Sequence, residues 1–295
     1  MNNDIEYGKN VKPGETGRQT SRNLEDNNWH GTINVNSRRL SQDQLQTESP
    51  SNTGKVQIGT DGIEIVLVQD FRDEDLANIS RWAQSSGSGA PEELRAVKDP
   101  TEFLSGGLAM QSLEDIVVLF AIRGVSRVCT HQLVRTRRAA FKQQSQQDTW
   151  QGDMPEFRMP ESIWLNTDVR TEWIKHVINA ARVYNMAIDA NIQYKDARYI
   201  LPEGTTNFIL CEYPLRTFLE LYAYRACVMF QEELVYVTRE MGRLLIEAHP
   251  YLEPHIKISC EKVHRCTFQG PEFTTPTCTF PWAGDRVYQQ SSSGF

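Results

Sequence analysis

The chain has 295 residues with a net charge of -7, and 39% of its residues are hydrophobic. This length accommodates one large domain, or two smaller ones, with a buried core. The overall acidity argues against a protein that binds nucleic acid over most of its surface. No apolar run approaches the roughly 18 residues needed to cross a bilayer, so we expect no membrane span.

Polar segments begin and end the chain. Residues 1–60 are rich in Asn, Gln, Ser, Asp and Gly, and they bury too little apolar surface to offset the entropy cost of ordering. We predict a disordered tail over residues 1–60, one α+β domain over residues 61–270 and a polar tail over residues 271–295. The start resembles no secretory leader, and with six cysteines this predicts a cytoplasmic protein with free thiols.

The hydrophobic pattern predicts the elements of this domain in chain order. Alternation over residues 62–69 and a continuous apolar run over residues 116–122 each predict a strand. Apolar spacing of three and four residues predicts helices over residues 73–83, 92–97 and 125–134, within 164–196, and over 215–248 with or without a break. In the third helix, Val125, Val128, Cys129 and Leu133 are expected to share one face.

A basic run in the middle of the chain is its strongest functional feature. From Ser126 to Gln147 there is no acidic residue, and the basic ones are Arg127, Arg135, Arg137, Arg138 and Lys142. Guanidinium groups pair with phosphate oxygens, and the amides and hydroxyl that follow suit the carbonyl and imide edges of a heterocycle. The pattern fits either a solvated basic face or a site for a phosphorylated heterocyclic ligand.

Other patterns point away from several classes of chemistry. The spacing Cys260-x3-His264-x-Cys266, with Cys278 beyond it, fits no regular zinc pattern, so we predict no metal site. No nucleophile elbow surrounds Ser145, and no glycine-rich phosphate loop is present. A bound nucleotide would therefore be held by arginines and amides.

Two arginines stand in an otherwise apolar helical stretch. Arg216 and Arg225 lie among Leu, Phe, Tyr, Ala, Cys and Val, where an unpaired charge is costly to bury. One interpretation pairs them with acids of the same stretch, namely Glu220, Glu232 and Glu233. The other directs them into an anion-binding cavity. Arg198 leaves the same choice open.

These landmarks together resemble the flavin-dependent thymidylate synthases. The family signature is Arg-His-Arg, about seven residues and then Ser; here Arg135-Thr136-Arg137 is followed seven residues later by Ser145. Residues 125–134 look like the family's helix before the signature, and residues 197–202 are similar to its Ala-Arg-x-x-Leu-Pro. The spacing of Arg216 and Arg225 matches two arginines on a later family helix.

The resemblance implies a fold, a reaction and a set of partners. The expected fold is a single α+β domain with a central antiparallel sheet flanked by long helices, assembled as a homotetramer with active sites between subunits. The expected reaction moves a methylene group from methylenetetrahydrofolate to C5 of a uridylate, with FAD as cofactor and NADPH as reductant. The first choice of substrate is dUMP, and the alternative is UMP, as in methylases of nucleoside-antibiotic biosynthesis.

The resemblance also assigns roles to particular residues. The residues expected to contact FAD are Gln111, Glu114, Arg135, Thr136, Arg137, Arg138 and Arg216. Those expected to hold the nucleotide are Gln132, Gln143, Gln144, Ser145, Gln147, Arg198 and Arg225. Arg225 is the expected catalytic residue, because a fixed cation beside the uracil stabilises the negative charge that develops there in the transition state.

Four positions depart from the family pattern. The central histidine of the signature is Thr136, and an arginine expected after the serine is Gln147. On the later helix an asparagine and a histidine are replaced by Glu220 and Met229. The loss of a nucleotide-facing arginine affects substrate identity more than reaction type. The departures leave one further alternative, a relative that binds nucleotide or RNA without catalysis.

Overall fold

A computed structural model describes residues 56–79, 104, 112–151, 155–264 and 266 of the chain. These residues divide into two compact units. Within the described ranges, the first unit combines residues 56–68 with those of 121–134 and 141–211, and the second combines the described residues of 69–120, 135–140 and 212–266. No helix in these ranges is both long and apolar enough to cross a membrane.

Within the described residues, six strands form two sheets. The larger sheet is antiparallel, with four strands in the order β2-β3-β6-β4. The strand bounds are β1 Val56–Ile58, β2 Glu64–Gln69, β3 Val117–Ser126, β4 Ala140–Gln143, β5 Phe157–Met159 and β6 Thr206–Pro214. The two strands predicted from the sequence are thus present as β2 and β3, and the mixed fold with an antiparallel sheet is confirmed.

The small sheet corrects one boundary of the sequence prediction. Strand β1 pairs in parallel with β5, with Val56 opposite Phe157. Residues 56–60 therefore belong to folded structure and not to the predicted tail, because β5 gives their backbone groups a pairing partner. The remainder of that tail, the helix predicted at residues 92–97 and the C-terminal tail lie outside the described residues.

The helices follow the predicted pattern with shifted ends. Their bounds are α1 Arg127–Leu133, α2 Glu161–Trp164, α3 Thr167–Asp189, α4 Tyr194–Ala197, α5 Leu215–Arg225, α6 Glu232–Ala248 and α7 Ser259–Val263. Short 3-10 turns cover Arg198–Ile200 and Pro250–Leu252, and residues 73–79 are helical. The stretch predicted over residues 215–248 is broken between α5 and α6, and Arg225 lies at that break.

Helix α1 begins later than predicted. The Ser126 hydroxyl oxygen accepts a hydrogen bond from the Cys129 backbone N–H at 3.1 Å, which caps the helix at Ser126. Val125 is consequently part of β3 and not of the helix. The prediction that Val128 shares a buried face with Cys129 and Leu133 is also wrong, because Val128 is 39% exposed. Cys129 and Leu133 are both buried, so they form the inner face of α1.

A buried arginine holds the backbone of the first unit near the start of α1. Arg158 donates through Nε and Nη2 to the Gly124 carbonyl at 2.8 and 2.6 Å, and through Nη1 to the Gly59 and Asp61 carbonyls at 2.8 and 2.9 Å. Gly124 has a φ of 77°, and a Cβ there would lie 2.7 Å from the Gly62 carbonyl oxygen. Position 124 in β3 therefore requires glycine, because the strand passes close to the Gly62 carbonyl there.

Candidate functional site

In the second unit, two arginines predicted to bind the cofactor meet at one carboxylate. Glu114 Oε1 lies 2.9 Å from Arg138 Nη1 and 3.0 Å from Arg216 Nη1. Arg216 Nε also pairs with Glu220 at 3.1 Å, so the salt bridge considered from the sequence is present. We call Glu114, Arg138, Arg216 and Glu220 the ion-pair cluster.

The backbone around the ion-pair cluster explains how it is assembled. The Leu215 N–H donates to the Ile116 carbonyl at 2.7 Å, and the Arg216 N–H donates to the Leu113 carbonyl at 3.2 Å. These bonds fix the first turn of α5 beside the segment that carries Glu114. Arg138 has a φ of 61°, a conformation that costs a residue with a side chain some energy and is concentrated at functional sites.

The exposed arginines beside this cluster add positive charge. Arg135 and Arg137 are exposed, and Thr136 between them is half-buried. Neither arginine pairs with an acid within the part of the chain that the structure describes. Since the two acids of the ion-pair cluster only balance Arg138 and Arg216, the signature segment retains donors and charge for an anionic ligand. Gln111, predicted to lie beside it, is outside the described residues.

Arg225, the last residue of α5, has different surroundings. Its guanidinium carbon lies 4.7 Å from the Phe230 ring centroid and 5.2 Å from the Tyr224 ring centroid. The two rings meet edge to face, with centroids 4.8 Å apart. Among the described residues no carboxylate pairs with Arg225, so the predicted salt-bridge alternative with Glu232 or Glu233 is not found there. Aromatic faces hold the cation without neutralising its charge.

In the first unit, the predicted nucleotide residues lie along the end of β4 and the turn after it. The Gln143 side-chain amide donates to the Thr130 hydroxyl of α1 at 2.7 Å, and the Gln144 N–H donates to the Phe208 carbonyl at 2.9 Å. Gln132 lies on α1 and is half-buried. These contacts fix the amide row between helix α1 and strand β6.

The turn over residues 145–148 uses the whole hydrogen-bonding capacity of its serine. The Ser145 hydroxyl donates to the Asp148 carboxylate at 2.8 Å and accepts from the Gln147 and Asp148 backbone N–H groups at 3.1 and 3.2 Å. A hydroxyl has one donor and two acceptor positions, so all three are occupied. In this geometry the turn presents the exposed side chains of Gln147 and Asp148.

A buried amide lies within the same turn. Gln146 is 8% exposed, and within the described residues its side-chain nitrogen has no hydrogen-bond partner. A buried donor without a partner costs roughly 1–3 kcal/mol. The turn therefore retains one unused donor, a neutral amide and a carboxylate, and it contains no cation.

Arg127 and Arg198 form a basic pair in the first unit, and the sequence assigned a role only to Arg198. Arg198 donates from Nε to the Lys195 carbonyl at 3.1 Å. Burial lowers the pKa of the nearby Arg127 guanidinium, Glu203 opposes that effect, and the positive charge of Arg198 lowers the pKa further. Glu203 also lies 3.4 Å from His131 Nδ1. The basic run contained Arg127, but only the structure places it near Arg198.

Three residues of the cysteine and histidine pattern near the end of the chain, Cys260, His264 and Cys266, are among the described residues. Cys260 is buried in an apolar cluster with Ala226 and Ile258, against which Tyr222 packs. The described residues contain no group of His, Cys, Asp or Glu side chains arranged to hold a metal ion. Cys278 lies outside the described residues.

Comparisons with known proteins identify the family to which this chain belongs. Residues 64–251 match the family model described as thymidylate synthase complementing protein. The chain belongs to this family, as the sequence resemblance predicted.

Individual relatives agree with the family match. A flavin-dependent thymidylate synthase from Thermococcus onnurineus is 37% identical over 125 residues, which cover 41% of this chain and 51% of the relative. The chain spans about half the length of the first curated relatives it matches, at 51%, 54% and 54%.

Solved structures share the fold. A UMP/dUMP methylase, PolB from Streptomyces cacaoi, was solved with 5-Br dUMP; it has a TM-score of 0.55 at 16% identity, covering 68% of this chain and 96% of that one. The thymidylate synthase ThyX from Helicobacter pylori, solved with FAD and dUMP, has a TM-score of 0.51 at 18% identity, covering 66% and 99%.

Proposed function

We propose that this protein is a flavin-dependent thymidylate synthase-type methyltransferase that methylates C5 of a uridine monophosphate. The first choice of substrate is dUMP, with methylenetetrahydrofolate as the carbon donor and NADPH as the reductant. The observation that carries the proposal is the contrast along α5: Arg225 at its end has no acidic partner among the described residues, while Arg216 at its start shares Glu114 with the arginine-rich signature segment. Curated relatives named for this activity support it.

The residues of the second unit suit FAD. Its pyrophosphate pairs well with guanidinium donors, and Arg135, Arg137, Arg138 and Arg216 provide them from the signature segment and from the first turn of α5. Glu114 orients Arg138 and Arg216, since one of its oxygens accepts from both. When bound and reduced by NADPH, the flavin would supply the hydride that completes the methyl group.

Arg225 has the properties required of the group that activates the pyrimidine. As C5 becomes nucleophilic, the ring takes on enolate character and negative charge accumulates on a uracil carbonyl oxygen. A cation that is already held in place, and not neutralised, stabilises this charge more in the transition state than in the ground state. Ring faces serve that purpose better than a carboxylate, because they hold the guanidinium and leave its charge available.

Further nucleotide-binding residues are proposed from the first unit. Arg127 and Arg198 are two cations available to the phosphate, and the repulsion between them is relieved when a dianion binds. The amides of Gln132, Gln143 and Gln144 have the donors and acceptors that a uracil edge requires. We propose a homotetramer for the assembly, as the family resemblance implies.

A direct experiment tests this function on the full chain. Purified protein with added FAD is given NADPH, methylenetetrahydrofolate and dUMP, and the methylated nucleotide is measured by mass spectrometry. We expect methylated product that depends on each component. A matched control, Arg182→Ala, removes an exposed arginine of α3 and should retain the parent rate. A protein that takes up no FAD and forms no product contradicts the proposal and favours the binding-only alternative.

The turn over residues 145–148 favours UMP as a second candidate substrate. A carboxylate accepts hydrogen bonds from ribose hydroxyls and repels phosphate, so Asp148 suits the 2′-hydroxyl that dUMP lacks. Gln147 adds a neutral amide where the family has an arginine. The PolB methylase, which shares the fold, was solved with 5-Br UMP as well as with 5-Br dUMP.

The Asp148→Asn variant tests this second candidate. We expect kcat/KM for UMP relative to dUMP to fall about tenfold in this variant, a loss of about 1.4 kcal/mol in discrimination. The exposed Asp189 at the end of α3 provides the control, Asp189→Asn, which should leave the ratio unchanged. If both variants give the parent ratio, Asp148 does not contribute to sugar selection.

A further inference from the structure

Two side chains from other helices bond to the last turn of α5, which carries Arg225. The Ser259 hydroxyl of α7 donates to the Ala223 carbonyl at 2.9 Å, and Arg239 Nε of α6 donates to the Ala226 carbonyl at 3.0 Å. The final carbonyls of a helix have no partner within the helix, and cations are favourable at this end. From these contacts we propose that Arg239 and Ser259 are positioning residues for Arg225.

The close approach of α5 and α6 explains why Arg239 reaches this carbonyl. A Cβ added at Gly242 would lie 2.3 Å from Tyr222 Cε2, so only glycine permits the observed spacing. Arg239 is three residues before Gly242 and lies on the same face of α6. Likewise Tyr222 on α5 precedes Ala226, the residue that ends this helix, by four residues. The close contact between Gly242 and the Tyr222 ring thereby brings Arg239 to the end of α5.

Helix α7 reaches the same turn from another direction. Its residue Cys260 is buried with Ala226 and Ile258, and this apolar contact places the neighbouring Ser259 hydroxyl at the Ala223 carbonyl. The bonds from Ser259 and Arg239 therefore lie on both sides of Arg225 in the sequence. A helix end held in this way has less freedom to fray than one that is bonded only to water.

Arg225 lies between the two bonded carbonyls. The hydrogen-bonded turn fixes the backbone at Arg225, and the Tyr224 and Phe230 rings fix the position of its guanidinium group. This inference rests on the proposed function, because Arg225 requires accurate placement only if its charge acts on the substrate. A displacement of about 1 Å at a reacting centre costs on the order of 100-fold in rate.

Variants of α6 separate positioning from general stability. Arg239→Ala removes the bond to the Ala226 carbonyl, whereas Arg239→Lys retains a cationic donor for it. The control is Arg243→Ala, since Arg243 lies one turn later on α6 and pairs within that helix with Glu240 and Glu247. The readouts are kcat for methyl transfer, the Kd for dUMP, the thermal midpoint and amide hydrogen exchange in residues 223–227.

We expect Arg239→Ala to lower kcat about tenfold and to speed exchange in residues 223–227, with a thermal midpoint close to that of Arg243→Ala. Arg239→Lys should recover most of the lost rate, and Ser259→Ala should show a smaller change in the same direction. If Arg239→Ala matches Arg243→Ala in kcat, Kd and exchange, the positioning role is refuted while the function stands. If the parent protein itself neither binds nor methylates uridylate, the function fails and the inference fails with it.

Discussion

The ion-pair cluster and Arg225 show two ways in which this chain holds arginines on the same helix. At the start of α5, Arg216 pairs with Glu114 at 3.0 Å and Glu220 at 3.1 Å. At its end, Arg225 lies over two aromatic rings and, within the described residues, has no acidic partner. The first arrangement provides oriented donors with little net charge, and the second provides an unneutralised charge. The difference suits cofactor binding at one end and transition-state stabilisation at the other.

The largest expected effect is the loss of the unneutralised charge. Arg225→Ala should lower kcat by about 100-fold or more, as does removal of a single oxyanion donor in other enzymes, while FAD binding is retained. Steady-state rates and a flavin titration measure the two quantities. A variant that keeps its rate within tenfold of the parent, a loss of about 1.4 kcal/mol, excludes Arg225 from the catalytic role.

Loss of an arginine from the ion-pair cluster should weaken FAD binding and leave kcat nearly unchanged, the reverse of the effect expected at Arg225. Arg216→Ala should raise the Kd for FAD about tenfold or more, because charge-assisted hydrogen bonds contribute roughly 1.5–3 kcal/mol, while kcat at saturating FAD stays near the parent value. Fluorescence titration of FAD gives the Kd. A selective loss of kcat with unchanged FAD affinity would reverse the assignment of the two ends of α5.

Within the ion-pair cluster, the more exposed arginine side chain should contribute less to FAD binding. The Arg138 side chain is 68% exposed and that of Arg216 is 28% exposed, so water screens Arg138 more strongly. Arg138→Ala should therefore weaken FAD binding by only a few-fold, on the order of 1 kcal/mol or less. The same titration tests this ranking, which would be wrong if Arg138→Ala weakened FAD binding more than Arg216→Ala.

The smallest effect is expected for the acid at the exposed side of the cluster. Glu220→Gln removes an exposed pair four residues apart on one helix, which contributes about 0.3–0.5 kcal/mol. FAD affinity and kcat should both stay within about twofold of the parent. A larger change in either quantity would give Glu220 a direct part in the site.

The sequence predicted element types, the family and the groups of residues, because these depend on local periodicity and on ordered motifs. Four-residue spacing made the Arg216 to Glu220 pair one of two alternatives, and the structure contains that pair. It did not predict that Glu114 joins Arg138 to Arg216, or that Arg127 lies near Arg198, because those contacts depend on tertiary folding. The carbonyl contacts of Arg239 and Ser259 had no sequence signal, since any donor of suitable length could occupy such positions.

The central claim is that this chain methylates a uridylate and that Arg225 carries the charge required. Its most direct test is the amount of 5-methylated nucleotide formed by parent and Arg225→Ala proteins, each loaded with FAD and supplied with NADPH, methylenetetrahydrofolate and dUMP or UMP. We predict product from the parent with at least one nucleotide, and about 100-fold less from the variant at equal FAD occupancy. Equal product from both proteins, or none from the FAD-loaded parent, would contradict the account.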